Sequence, residues 1–299
     1  MKKKIISSVS AVLVAASLSA CEKLKEKENL SLNDNPVITK ITEKNGNFII
    51  YDYGKIKLHA YTTNDFLNDE VYIIENNNLL IGIEMPSFTK NLEEWKEYIT
   101  SLKKPMKDIF VADHPTGASY IKGLNIYGTK EVKNSIEKGS VFEITKGLSK
   151  AFGKDFHGGD DIIKVNNVIE DGKILIGETE FNIIKNGSSY DIEIPEINVI
   201  HTHMLGETTH SIITGPEHIK HMLSVLKNYQ DKNYSLILSA HSEPEKQNAV
   251  IEKINYIKTL SEFSKKYSNK QDFINNMKKE FPNYSGENYL EMTAGYLYK

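Results

Sequence analysis

Between Asn47 and Glu84 the chain lays down four strand-like runs with little more than turns between them. Asn47-Phe48-Ile49-Ile50-Tyr51-Asp52-Tyr53 and Lys55 to Tyr61 are rich in aromatic and β-branched residues and read as a hairpin turning at Gly54. Glu70 to Glu75 and Leu79 to Glu84 follow, with Asn76-Asn77-Asn78 as their turn. A chain that opens on such a meander must cover one face of a sheet. The next stretch supplies the cover: Leu92, Trp95, Tyr98, Ile99 and Leu102 recur at helical spacing within residues 91 to 103. A short buried-type strand, Asp108 to Ala112, makes the order β-α-β.

The remainder repeats this mixture. Lys130 to Phe152 is helical and leads to a glycine-rich turn, His157-Gly158-Gly159-Asp160. Strands are expected at Val165 to Ile169, Lys173 to Ile176, Glu180 to Ile184, Tyr190 to Ile194 and Asn198 to His203. A helix from Glu217 to Tyr229, a strand from Ser235 to Ala240, a helix from Lys246 to about Tyr267 and another from Gln271 to Phe281 close the chain. No repeat of 20 to 50 residues and no low-complexity linker divides it, so one domain of two similar halves is expected.

The N-terminus specifies a destination. Met1-Lys2-Lys3-Lys4 followed by an apolar or small-residue stretch, Ile5 to Ala16, has the form of a signal peptide, too short for a membrane-spanning anchor. Leu18-Ser19-Ala20-Cys21 resembles the lipobox of bacterial lipoproteins, which implies cleavage after residue 20, acylation of Cys21 and a lipid-anchored place in the cell envelope. Cys21 is the one cysteine, so no thiol is left for a disulfide, a catalytic thiolate or a zinc-thiolate site. Glu22 to Asn35, with alternating Lys and Glu and almost no apolar residue, reads as a solvated tether. The expected division is a signal peptide at 1–20, a lipidated tether at 21–44 and one domain at 45–299. The membrane is then met through the lipid alone.

Composition removes several function classes. With 39% hydrophobic and 26% charged residues, 299 residues make an ordinary globular chain. All 37 basic side chains are lysines; without arginine to fork onto phosphates and base edges, a nucleic-acid partner is not expected. Loss of residues 1–20 takes the net charge from −3 to −6. Neither a Gly-x-Ser-x-Gly elbow nor a Walker lysine loop is present, and the Ser-x-x-Lys matches lack the partner motifs of penicillin-recognising serine enzymes.

Five phrases resemble the metallo-β-lactamase superfamily over roughly residues 45 to 262. Glu70 to Glu75 with Leu79 to Glu84 looks like its opening hairpin. Ile109-Phe110-Val111-Ala112-Asp113-His114-Pro115-Thr116-Gly117 stands where its first metal motif follows a buried strand. Phe181 to Ile184 with Gly187-Ser188 occupies the Gly-His position, and Ile194 to Leu205 resembles the strands leading to the bridging aspartate, where His203 stands. Leu236 to His241 matches the strand that ends in the last ligand histidine. The resemblance implies an αβ/βα sandwich, two mixed β-sheets face to face with helices outside. The family's His-x-His-x-Asp-His motif is absent, and its place reads Asp113 to Ala118.

Without that motif, two zinc ions and their six or seven ligands are not expected. On this fold the loops after residues 112, 203 and 240 converge. Asp113 or His114, His203, His210 and His241 would then share one cleft and hold a single zinc, manganese or iron ion, with Glu207 as a base and Asp113 in a catalytic role. His201 and His203 belong on one strand face. His218 and His221 are expected on a solvated helix face, and His59 and His157 as isolated structural histidines. The tail tyrosines Tyr284, Tyr289, Tyr296 and Tyr298 are expected to pack the last helix. Two functions follow: a single-metal hydrolase of a small molecule whose identity the sequence leaves open, or a non-catalytic lipoprotein that binds a ligand or a metal.

Overall fold

Alternating side chains sort each strand into two environments, and the environments define the layers. The computed structural model describes residues 35–298; the signal-peptide reading and Cys21 lie outside the described residues. Leu32–Lys299 is one compact unit.

The first sheet holds β1 (Val37–Thr42), β2 (Gly46–Asp52), β3 (Lys57–Thr63), β4 (Glu70–Glu75), β5 (Leu80–Ile83), β6 (Met106–Phe110), β7 (Asn125–Thr129) and β8 (Asn167–Ile169) in chain order. Pairing is antiparallel from β1 to β5 and parallel from β5 to β8. Gly54 makes the predicted β2–β3 turn with φ of 89°. At the next turn the Asn76 side chain accepts from the amides of Asn78 and Leu79.

The second sheet runs β14-β13-β12-β11-β10-β9, from β9 (Gly172–Ile176), β10 (Thr179–Asn186), β11 (Ser189–Ile194), β12 (Val199–Thr202), β13 (Leu236–Ser239) and β14 (Ser242–Glu245). In β11 to β13 Tyr190, Ile192, Ile194, Val199, Leu236 and Leu238 join the core shared with the first sheet. Their neighbours Ile200 and Ile237 join a second core under helices. Contacts such as Phe110 on Phe181, at 5.0 Å between rings, close the two sheets face to face.

Helix α1 (Thr89–Ser101) packs Leu92 and Trp95 on the first sheet, as its spacing predicted. The 130–152 segment is two helices, α2 (Lys130–Lys138) and α3 (Ser140–Phe152), parted at Gly139. Helices α4 (Pro216–Lys232), α5 (Gln247–Lys266), α6 (Lys270–Glu280) and α7 (Glu287–Leu297) cover the outer face of the second sheet. The architecture is therefore the expected four-layer sandwich. One boundary moves: the domain starts before residue 45, because Val37–Thr42 pairs along its whole length with β2 as an edge strand. Among the described residues no helix is long and apolar enough to cross a membrane.

Candidate metal centre

Three strands stop at one end of the sandwich, and each is followed within four residues by a histidine. The loop after β6 carries His114 from the first sheet; β12 and β13 deliver His203 and His241 from the second. β12 and β13 run parallel and in register, Thr202 beside Ser239, and the Ala240 amide continues the ladder to the His203 carbonyl at 2.9 Å. Two of the three imidazoles are thus set side by side by sheet geometry. One ring nitrogen from each of His114, His203 and His241 lies within 4.8 Å of the others. Among the described residues this is the group of His, Cys, Asp or Glu able to share an ion.

The closest approach is between His114 Nε2 and His241 Nε2, at 3.3 Å. Two nitrogens each about 2.1 Å from a tetrahedral zinc ion stand about 3.4 Å apart. Ring centroids are 4.8 to 5.7 Å apart across the trio, with the rings steeply inclined to one another.

Carboxylates back all three rings. Asp69 Oδ1 lies 3.5 Å from His241 Nδ1 and 3.8 Å from His114 Nδ1, while Asp113 Oδ2 lies 3.5 Å from His203 Nδ1. A carboxylate on the Nδ1 side favours a proton there and a free lone pair on Nε2, the tautomer a metal needs. At 3.3 Å one ring can donate Nε2–H to the other, and a cation bound between them would take both lone pairs instead. Asp69 Oδ1 and the Nδ1 atoms of His114 and His203 are buried without a hydrogen-bond partner among the described residues. Three ring nitrogens within 4.8 Å of one another are a donor set that fits a single metal ion.

The supports are themselves fixed. Asp69 is 0% exposed, and its other oxygen accepts from the Ser87 hydroxyl at 2.8 Å. Burial raises its pKa, against the pull of His241 and Ser87. Asp113 accepts from Ser189 at 2.7 Å; burial raises its pKa, but the neighbouring His203 and the Ser189 bond outweigh burial and hold it below the usual carboxylate range. Glu84, with φ of 62°, accepts the amides of Ala112, Asp113 and His114, each at 3.0 Å, and so shapes the loop that carries His114. Burial and the Asp113 charge push Glu84 up to about 8. Burial, reinforced by the neighbouring histidines, takes His114 and His241 down to about 3, so both lone pairs are free at neutral pH.

The remaining predicted residues fall elsewhere. His210, expected as a ligand, is 1% exposed in the second core, where Nδ1 meets the Tyr256 hydroxyl at 3.0 Å. Its backbone amide bonds Ser285 and turns it toward the helices, away from the trio. Glu207, expected as a base, accepts from Asn248 at 2.7 Å and lies outside the cluster. His201 shares its strand face with His203 but lies deeper, edge-on to Tyr72 at 5.6 Å. His59 is held by Tyr98 and Glu75, His157 by Thr89 and Asp161, His218 by Thr214 and His221 by Asn186. Asp69, Ser87, Glu84 and Ser189 were not singled out as site residues from the sequence. An acid directly before a buried strand, Asp69, is the signal that could have found one of them.

Beside His241 opens a polar cavity of about 280 Å³, lined by Asn68, Gly206, Ser242, Ser285 and Asn288 among others.

No protein-family model and no curated protein matches the sequence. Solved structures match the fold. A metallo-β-lactamase from Erythrobacter litoralis superposes with a TM-score of 0.53 at 10% identity, over 74% of this chain and 100% of its own. A metallo-β-lactamase family protein from Thermus thermophilus gives 0.56 at 11% identity, over 81% and 91%. The stereoselective inverting sec-alkylsulfatase Pisa1 from a Pseudomonas species gives 0.53 at 13% identity, over 83% of this chain and 49% of that one. At these identities the likeness establishes the fold.

Proposed function

Starting from a metallo-β-lactamase fold, we propose that this chain is a cell-envelope lipoprotein, anchored through Cys21, whose domain is a single-metal hydrolase. The observation that carries the reading is the convergence of His114, His203 and His241, with two Nε2 atoms 3.3 Å apart and a carboxylate facing each Nδ1. A zinc, manganese or iron ion bound there would polarise a carbonyl, phosphoryl or sulfuryl oxygen and bring a water pKa to about 7.

The chain's own groups do the rest. Asp69 orients His114 and His241 from below, and Ser87 fixes Asp69. Asp113 orients His203 and, with its side chain 20% exposed, is the carboxylate placed to take a proton from an attacking water. Glu84 holds the 112–114 backbone, so His114 and Asp113 arrive together. The polar cavity beside His241 receives the substrate's hydrogen-bonding groups.

A second reading, metal capture without turnover, draws on Glu207, whose carboxylate engages Asn248 rather than the cluster. Metal analysis of the 32–299 unit, purified without a His-tag, tests the centre. About one equivalent of a transition metal, lost in both His203→Ala and His241→Ala, is expected. Absence of metal after incubation with zinc and manganese would overturn it. Turnover of a panel of ester, lactone, phosphoester and sulfate-ester substrates by the metal-loaded unit separates hydrolysis from capture.

A further inference from the structure

Twelve residues line the cavity of about 280 Å³ beside His241, and no lysine, aspartate or glutamate is among them. In a chain with 26% charged residues, twelve positions would hold about three by composition alone. The lining is polar all the same: it includes the hydroxyl residues Thr209, Ser242, Ser285 and Tyr289 and the carboxamides Asn68 and Asn288. Its size is at the lower end of small-molecule sites, room for a single ring and its substituents.

The walls are built, not incidental. Asn68 has φ of 49°, and its loop is fixed by Asp65, which accepts the amides of Leu67 at 2.9 Å and Asn68 at 3.1 Å. The next residue is Asp69, the carboxylate behind His241. A second wall joins distant sequence: the hydroxyls of Thr209 and Ser285 meet at 3.0 Å, the Ser285 amide donates to the Thr208 carbonyl at 2.9 Å, and the His210 amide donates to the Ser285 carbonyl at 2.9 Å. At Gly286, with φ of 73°, a Cβ would come within 2.8 Å of the Tyr289 ring and 3.1 Å of Thr209, so glycine lets this wall close. The Asn68 and Asn288 carboxamides and the Tyr289 hydroxyl bond to no other described residue.

A carboxamide offers a carbonyl and an NH2, and a hydroxyl both gives and takes a hydrogen bond. Their complement is an uncharged ligand dense in groups that do the same, as adjacent hydroxyls do. A peptide carries one backbone donor and one acceptor per residue, too sparse for this many groups around a ring-sized space. An anion would find Asp69 3.5 Å behind His241 and Glu245 on the Ser242 hydroxyl at 3.0 Å, with no lysine in the lining to offset them. The N-terminus of α7 at Gly286 would draw an anion, but Glu287 in its first turn opposes that pull.

We propose that this cavity binds a single uncharged sugar ring, as the non-reacting half of the molecule presented to the metal centre. The hydrolase reading supplies what happens to that molecule; the binding rests on the cavity's own groups.

Equilibrium titration of the metal-free 32–299 unit with methyl glucoside, galactoside and mannoside, and with the uronate and 2-amino analogues of each, tests the cavity. Leaving the metal out keeps a uronate carboxylate from binding the ion instead. At least one neutral glycoside is expected to bind about tenfold more tightly than its charged analogues. Asn68→Ala and Asn288→Ala should each weaken that binding about fivefold, and Asn288→Lys should turn the preference toward the uronate. Both positions are exposed, and unchanged melting would show that the variants fold. Absence of binding by all three neutral glycosides, binding undiminished in both alanine variants, or a tighter uronate in the unaltered unit would overturn the proposal. Ester turnover by the metal-loaded unit is read separately. Sugar binding without turnover would remove the hydrolase and leave this assignment, and turnover without sugar binding would do the reverse.

Discussion

Two groups of polar side chains, one at the strand ends and one among the helices behind the second sheet, satisfy their polar atoms in opposite ways. At the strand ends, His114, His203 and His241 aim ring nitrogens at one another with carboxylates behind them. Among the helices, His210 meets the Tyr256 hydroxyl, and Lys253, 0% exposed, donates to the Thr209 carbonyl at 2.6 Å and lies 5.0 Å over the Tyr256 ring. The second group is satisfied by its neighbours and holds the 206–211 loop. The first leaves Asp69 Oδ1 and the Nδ1 atoms of His114 and His203 without a hydrogen-bond partner among the described residues. Histidines seven residues apart, His203 and His210, therefore have unrelated roles, and the number of unclaimed lone pairs tells them apart.

Breaking each group in turn sharpens this contrast. The largest effect is expected from His203→Ala or His241→Ala, which should abolish stoichiometric metal in elemental analysis, while His210→Ala leaves it intact. Asp69→Asn keeps all three rings but removes the charge behind two of them; a metal titration should show affinity about 10 to 100-fold lower. His210→Ala should instead cost about 2–3 kcal/mol in urea unfolding, because it opens a cavity and leaves the Tyr256 hydroxyl short of a partner.

Acid should act on the helical group too. Burial, then the Lys253 charge, lower His210 from 6.5 to about 4. The unfolded chain takes up this proton near pH 6.5 and the folded one near 4. The contribution of His210 is thus fully present above pH 6.5 and lost as pH falls to 4, where melting of the metal-free unit should decline. His210→Asn should flatten that slope. The smallest effect belongs to Glu207→Gln, which should leave metal affinity unchanged and stability within about 0.5 kcal/mol.

Legibility followed burial. The strictly alternating strand Tyr190–Ile194, the continuous apolar run of Leu236–Ser239 and helices with a clear apolar stripe, such as α1, were readable because the apolar pattern is the physical cause of their packing. β14, Ser242-Glu243-Pro244-Glu245, has no apolar face and contains a proline tolerated because it is an edge strand. β1 looked like tether because its side chains face water; backbone pairing holds it. His114, His203 and His241 were legible because each stands within two residues of the end of a buried run. Asp69 and Glu84 were not, since a carboxylate that supports a loop leaves no periodic trace. His210 was drawn into the expected site by closeness along the chain, and the Ser285 and Tyr256 contacts that take it away come from distant sequence.

The ladder from β12 to β13 sets the spacing of His203 and His241 within one sheet, while His114 belongs to the other. An ion bound by all three is therefore a staple between layers that are otherwise joined chiefly by side-chain packing. Sliding one sheet against the other would pull a ligand away, and loading the site would resist that slide. Occupancy at a hundred times the dissociation constant would add about 2.7 kcal/mol to folding. The availability of metal would then set how long the folded domain lasts, whether or not any substrate is turned over.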